Sequence, residues 1–163
     1  MFLAQSLKES KSVSWIADLS DYLSRQVFCK EGCGMKRRVL IVDDEEVVRN
    51  FLRIHLAKLG YEVMEAADGE QAIEELERDD FDLLICDILM PRKGGWEVIK
   101  EVRSNSRTKH LPVIVLKAKN EETDMFKGYD LGANYYMTKP FTKAELLYGL
   151  RLMFDGRLEE VRV

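Results

Sequence analysis

From about residue 38 onward, two rhythms of apolar residues alternate along this chain. Val39-Leu40-Ile41-Val42 is an unbroken apolar run, as expected of a strand buried on both faces. Over residues 45–59, Val47, Val48, Phe51, Leu52, Leu56 and Leu59 recur at helical spacing, and Gly60 stands where a C-terminal cap belongs. The alternation then repeats. Residues 61–66 predict a second strand, and residues 68–78 a helix with Ala72, Ile73 and Leu76 on one face. Residues 81–86 predict a third strand and 96–102 a third helix. Residues 111–116 predict a fourth strand, and 121–131 a fourth helix stopped by Gly132. Tyr135-Tyr136-Met137 predicts a short fifth strand. Thr142, with Glu145 three residues on, predicts a capped last helix reaching about Phe154. Such βα repetition builds a parallel sheet with helices on both faces.

The chain length of 163 residues suits one ordinary domain rather than two. The glycines in Lys30-Glu31-Gly32-Cys33-Gly34 mark a seam. The expected division is a leader at 1–35, a compact domain at 36–155 and a tail at 156–163, too short for an output domain. In the leader, Trp15, Ile16, Leu19, Tyr22 and Leu23 lie near helical spacing behind Ser14, which predicts an amphipathic helix. Its apolar stripe has three candidate partners: its own domain, a second copy of the chain, or another protein.

Hydrophobic residues make up 46% and charged residues 33%, which excludes a disordered chain. A net charge of −4 argues against direct binding of nucleic acid. No apolar run approaches the ~20 residues that cross a bilayer, and the N-terminus lacks the apolar stretch of a secretory signal. A cytoplasmic location without membrane insertion is therefore expected. Cys86 lies inside an apolar run and reads as a small buried residue. Cys29 and Cys33 are four apart, but no second Cys/His pair completes a zinc site.

Open α/β sheets bind ligands at the carboxyl ends of their strands. Here the predicted strands end on Asp43-Asp44, on Asp87, near Lys117 and at Lys139. Three carboxylates brought together repel one another. A hard divalent cation such as Mg²⁺ relieves that repulsion through oxygen ligands. A cation and a lysine can together stabilise a transferring phosphoryl group, and a carboxylate can be the nucleophile that forms an aspartyl phosphate.

Three segments carry a resemblance. Val39 to Glu46 (VLIVDDEE), Asp87 to Gly95 (DILMPRKGG) and Thr138-Lys139-Pro140-Phe141 resemble the receiver domains of two-component response regulators, over about residues 37–155. The resemblance implies a stand-alone, chemotaxis-regulator-like receiver. Its fold would be flavodoxin-like and doubly wound, a five-stranded parallel sheet of order 2-1-3-4-5 with five flanking helices. It further implies that Asp87 accepts a phosphoryl group from a histidine kinase or phosphotransfer protein. Asp44 would bind Mg²⁺ directly and Asp43 largely through water, with Asp87 and the backbone carbonyl of Leu89 as further ligands. Lys139 would pair with Asp87 and then with the phosphoryl oxygens. Pro140 would follow a cis peptide bond, and Tyr136 would be the aromatic whose rotamer reports phosphorylation. The downstream target would be met on the face of the fourth helix, fifth strand and fifth helix. Such a protein is a switch, not an enzyme acting on a metabolite, and assists only its own phosphorylation and dephosphorylation.

One position departs from the pattern. Receivers usually carry Thr or Ser at the end of strand four, where this chain has Lys117 before Ala118. Lysine offers no acceptor and a longer stem. Its ammonium has three candidate fates: neutralising Asp87, gripping a phosphoryl group, or reaching solvent. Lys117 therefore motivates an alternative reading, a pseudo-receiver that binds proteins with altered or absent phospho-switching. A haloacid-type phosphohydrolase is disfavoured, because Asp43-Asp44-Glu45-Glu46-Val47 lacks the Asp-x-Asp-x-Thr motif. Glu45 and Glu46 read as helix-dipole partners and caps.

Overall fold

The computed structural model describes residues 36–119 and 132–155, with Asp155 described only in its backbone. The predicted leader, the predicted helix at 121–131 and the tail lie outside the described residues. In chain order the elements are β1 (Arg38–Val42), α1 (Glu46–Lys58), β2 (Glu62–Ala66), α2 (Gly69–Arg78), β3 (Leu83–Asp87), α3 (Gly95–Ser104), β4 (Val113–Ala118), β5 (Tyr135–Lys139) and α4 (Lys143–Asp155). The five strands form one parallel sheet of order β2-β1-β3-β4-β5. Among the described residues four helices flank it.

The sheet's apolar runs split by parity, since successive side chains on a strand point to opposite faces. Val39, Ile41, Leu83, Ile85, Ile114 and Leu116 face one core with Leu52 and Leu56 of α1 and Leu146, Leu147 and Leu150 of α4. Leu40, Val42, Leu84, Cys86, Val113 and Val115 face the other, with Ala72 and Leu76 of α2 and Val98, Ile99 and Val102 of α3. Each fully buried leucine contributes roughly 1.5–3 kcal/mol.

Helix termini follow the residues available. Gly60 turns the chain out of α1 with φ +88°. Asp68 caps α2 by accepting from the Gln71 N–H at 2.9 Å. Thr142 and Glu145 form a reciprocal capping box at the start of α4, with contacts of 2.7 and 3.2 Å. Arg103 anchors the approach to the two strands beside the site. Its guanidinium donates to the carbonyls of Gly132 (2.6 Å), Leu111 (2.7 Å) and Lys109 (3.1 Å) and to Asn134 Oδ1 (3.0 Å). Asn134 Oδ1 in turn accepts from the first residue of β4, the Val113 N–H, at 2.9 Å.

Candidate functional site

The parallel order brings the ends of β1, β3 and β5 to one edge, and their polar residues meet there. Asp43 follows β1 and is fully buried, while its neighbour Asp44 is exposed. The turn that carries them is tightly held. The Asp43 N–H donates to Ala66 O at 3.2 Å, and Asp43 Oδ1 accepts from the Glu45 N–H at 2.9 Å. Arg49 donates to the Asp43 carbonyl at 2.7 Å and lies 3.7 Å from Glu65. This clasp binds α1 to the ends of β1 and β2.

Asp87 ends β3 and is buried. Behind it, α3 begins so close that a Cβ on Gly95 would lie 2.0 Å from the Asp87 carbonyl oxygen. Only glycine permits that approach. The loop between β3 and α3 is tied down by Arg92, 3.7 Å from the buried Asp68, and by an ion pair between Lys93 and Glu101. Arg92 itself has φ +68°.

Lys139, the last residue of β5, places its ammonium among three carboxylates. Nζ lies 2.7 Å from Asp43 Oδ2, 3.0 Å from Glu45 Oε1 and 3.2 Å from Asp87 Oδ2. The Lys139–Pro140 peptide is cis. One carboxylate oxygen from each of Asp43, Asp44 and Asp87 also lies within 4.8 Å of the others.

These charges disturb one another. Burial, and then the charge of Asp43, push Asp87 up to about 6, against the pull of Lys139 and of the Leu89 backbone N–H that bonds its carboxylate. Burial also raises Asp43 above the usual carboxylate range despite its contact with Lys139. Burial works to lower Lys139, but its bonds to Asp43 and Glu45 outweigh that and hold it above the ordinary lysine value. One ammonium thus leaves the carboxylates undercompensated. An all-oxygen donor set with excess negative charge, one buried carboxylate and one exposed, fits a hard, partly hydrated divalent cation such as Mg²⁺.

Lys117, Tyr136, Leu89 and Cys86 lie on or just beyond the strands whose ends frame this cluster. Lys117 sits on β4, half-buried and opposite Thr138 of β5. Among the described residues the cation paired with Asp87 is Lys139, not Lys117. Tyr136 is half-buried with its hydroxyl shielded, and its ring centroid is 6.5 Å from that of Trp96. The Leu89 side chain is exposed, while its backbone turns toward Asp87. Cys86 is fully buried, and burial first, then the nearby Asp87 and Asp43, pushes its thiol far up. It is an inert core residue. Cys29 and Cys33 lie outside the described residues.

Glu45 corrects the sequence reading. It heads α1, but its side chain makes no capping bond and reaches Lys139 instead. Arg49, Gly95 and Arg103 were not singled out by sequence reasoning. The Gly94-Gly95 pair was a visible signal, whereas nothing marks Arg49 or Arg103 among the other arginines.

A doubly wound sheet with an acidic cluster and a lysine at its carboxyl edge defines the class of molecule. Comparison with known proteins agrees. The family model described as the response regulator receiver domain matches residues 39–151. The chain belongs to this family, the receiver domains of two-component response regulators. It is 40% identical over 112 residues to the alkaline phosphatase synthesis transcriptional regulatory protein of Bacillus subtilis, covering 69% of this chain and 46% of that one. The chain thus spans about half the length of that relative. Among solved structures, a chemotaxis response regulator of Vibrio cholerae has 34% identity and a TM-score of 0.69, covering 73% of this chain and 99% of that one. The receiver domain of a sensor histidine kinase of Pseudomonas aeruginosa, solved with a magnesium ion coordinated in its active-site cleft, has 32% identity and a TM-score of 0.65, covering 71% of this chain and 94% of that one. Among the described residues, no helix is long and apolar enough to cross a membrane.

Proposed function

We propose that Asp87 accepts a phosphoryl group from the phosphohistidine of a kinase or phosphotransfer protein. The observation that carries this reading is the convergence of Asp43, Asp44 and Asp87 with Lys139 at one sheet edge. A carboxylate oxygen of Asp87 forms the new bond to phosphorus as the donor's P–N bond breaks, and the departing imidazole nitrogen takes a proton from solvent. Lys139 then faces the phosphoryl oxygens. Asp44, Asp87 and the Leu89 carbonyl would hold Mg²⁺ directly, and Asp43 largely through water. When bound, that cation supplies positive charge to the transferring group. The same pocket assists hydrolysis of the acyl phosphate, with water as nucleophile, and turns over no metabolite.

A pseudo-receiver is less well supported, because Lys117 does not occupy the ion-pair position beside Asp87. Incubation with acetyl phosphate and Mg²⁺, read by intact mass, tests the reading. The parent should gain one phosphoryl group and Asp87→Asn none. Equal labelling of both would remove Asp87 from the role.

The division into a leader at 1–35, a domain at 36–155 and a tail at 156–163 belongs to the same proposal, as does a cytoplasmic location. Output runs through protein contacts rather than through nucleic acid bound by this chain or insertion into a membrane. The output face comprises the predicted helix at 121–131, β5 and α4. Tyr135 and Tyr148 meet edge-on there at 6.1 Å. The leader's apolar stripe would pack on the domain, on a second copy of the chain, or on a partner.

A further inference from the structure

Lysine carries three N–H donors. At Lys139 three carboxylates surround them: Glu45 and Asp87 accept hydrogen bonds at 3.0 and 3.2 Å, and Asp43 Oδ2 forms an ion pair at 2.7 Å. Two of these are buried members of the acidic cluster. Glu45 differs, because its side chain is 60% exposed and it stands at the helix start without capping it. Lys139 is the ion-pair partner of its carboxylate among the described residues.

We propose that Glu45 is a positioning residue that competes with a phosphoryl group on Asp87 for the ammonium of Lys139. The proposal rests on the reading of Asp87 as phosphoryl acceptor. Phosphorylation converts the Asp87 carboxylate to an acyl phosphate, so the contact of Lys139 with Asp87 passes to a phosphoryl oxygen. A second contact between the ammonium and the phosphoryl group requires Asp43 or Glu45 to yield. The Asp43 contact is the shortest of the three and belongs to a fully buried side chain. Breaking it would strand a buried carboxylate. Glu45 can instead turn into water with little penalty. Glu45 therefore releases Lys139 when the phosphoryl group arrives, and its hold weakens phosphoryl binding by whatever the exposed pair is worth.

Glu45→Ala removes the competitor without removing a helix cap. In metal-free protein, the ¹⁵Nζ–¹H signal of Lys139 should shift and its protons should exchange faster with water than in the parent. Beryllofluoride with Mg²⁺, standing in for the phosphoryl group, should bind about two- to fivefold more tightly, the size of an exposed ion pair. Affinity for Mg²⁺ alone should not rise, since a nearby carboxylate is lost. Glu45→Gln should change beryllofluoride affinity in the same direction and serves if the alanine variant folds poorly. An unchanged Lys139 signal, or beryllofluoride binding that is unchanged or weaker, would overturn the proposal. A parent that binds no beryllofluoride would overturn the reading of Asp87 itself and this inference with it. The Lys139 signal in metal-free protein tells the two failures apart.

Discussion

Replacing Asp87 by asparagine should stabilise the metal-free protein at neutral and alkaline pH. The folded state raises this carboxyl from 3.8 to about 6, because burial and the charge of Asp43 disfavour its anion more than Lys139 favours it. Above pH 6 the folded protein carries an anion that is better solvated in the unfolded chain. Between about 6 and 3.8 the folded state binds a proton that the unfolded state does not, so stability falls as pH rises through that window. Below it both states are protonated and the penalty is gone. A rise from 3.8 to about 6 corresponds to at most about 3 kcal/mol. Screening at the open mouth of the pocket reduces this to about 1–2 kcal/mol. Asparagine carries no charge, so Asp87→Asn should gain that amount at pH 8, roughly 5 °C in Tm. The gain should shrink as pH falls toward 4. Urea denaturation in chelator at several pH values measures it directly. Added Mg²⁺ should favour the parent, because a ligand that binds the folded state stabilises it and the variant lacks one carboxylate. A variant less stable than the parent in chelator at pH 8, or a difference that ignores pH, would refute the argument.

Three further outcomes follow from packing and register. Arg103→Leu should lose about 2–4 kcal/mol, because several inward carbonyls lose their donor; Arg103→Lys should recover only part, and urea midpoints will tell. Gly95→Ala should lose about 3 kcal/mol and abolish acetyl phosphate labelling, since the new Cβ overlaps the Asp87 carbonyl; normal labelling would show that the α3 start can retreat. Lys117→Thr should leave labelling of Asp87 intact but put a hydroxyl near the end of β4, the strand paired with that of Tyr136, so the Tyr136 chemical shift on phosphorylation should grow. An identical Tyr136 response in both proteins would sink that link.

Most of the architecture was legible because it rests on periodicity. The two-sided burial of Val39-Leu40-Ile41-Val42 and the alternation of strands with amphipathic helices specify a parallel sheet, and the observed order is β2-β1-β3-β4-β5. Boundaries moved where the pattern was blind. The third strand begins at Leu83 rather than residue 81 and ends on Asp87, because pairing with β4 continues through the aspartate. The strand-end carboxylates and Lys139 were legible because polar residues interrupt apolar runs at equivalent places. Glu45 was misread because a helix-start glutamate looks like a cap, and only tertiary structure brings Lys139, 94 positions away, within reach. Arg103 was invisible for the same reason. Apart from Asn134 Oδ1, its partners are backbone carbonyls, and carbonyls have no sequence signature.

The contact between Trp96 and Tyr136 has an optical consequence. The chain holds two tryptophans, Trp15 and Trp96. Trp96 directly follows Gly95, whose backbone abuts Asp87, and its ring neighbours Tyr136. In a Trp15→Phe protein, emission would come from a single indole linked by one backbone step to the acidic cluster and by one ring contact to β5. Occupancy of the cluster and movement of Tyr136 would then be followed in real time as changes in intrinsic fluorescence, with no label added near either.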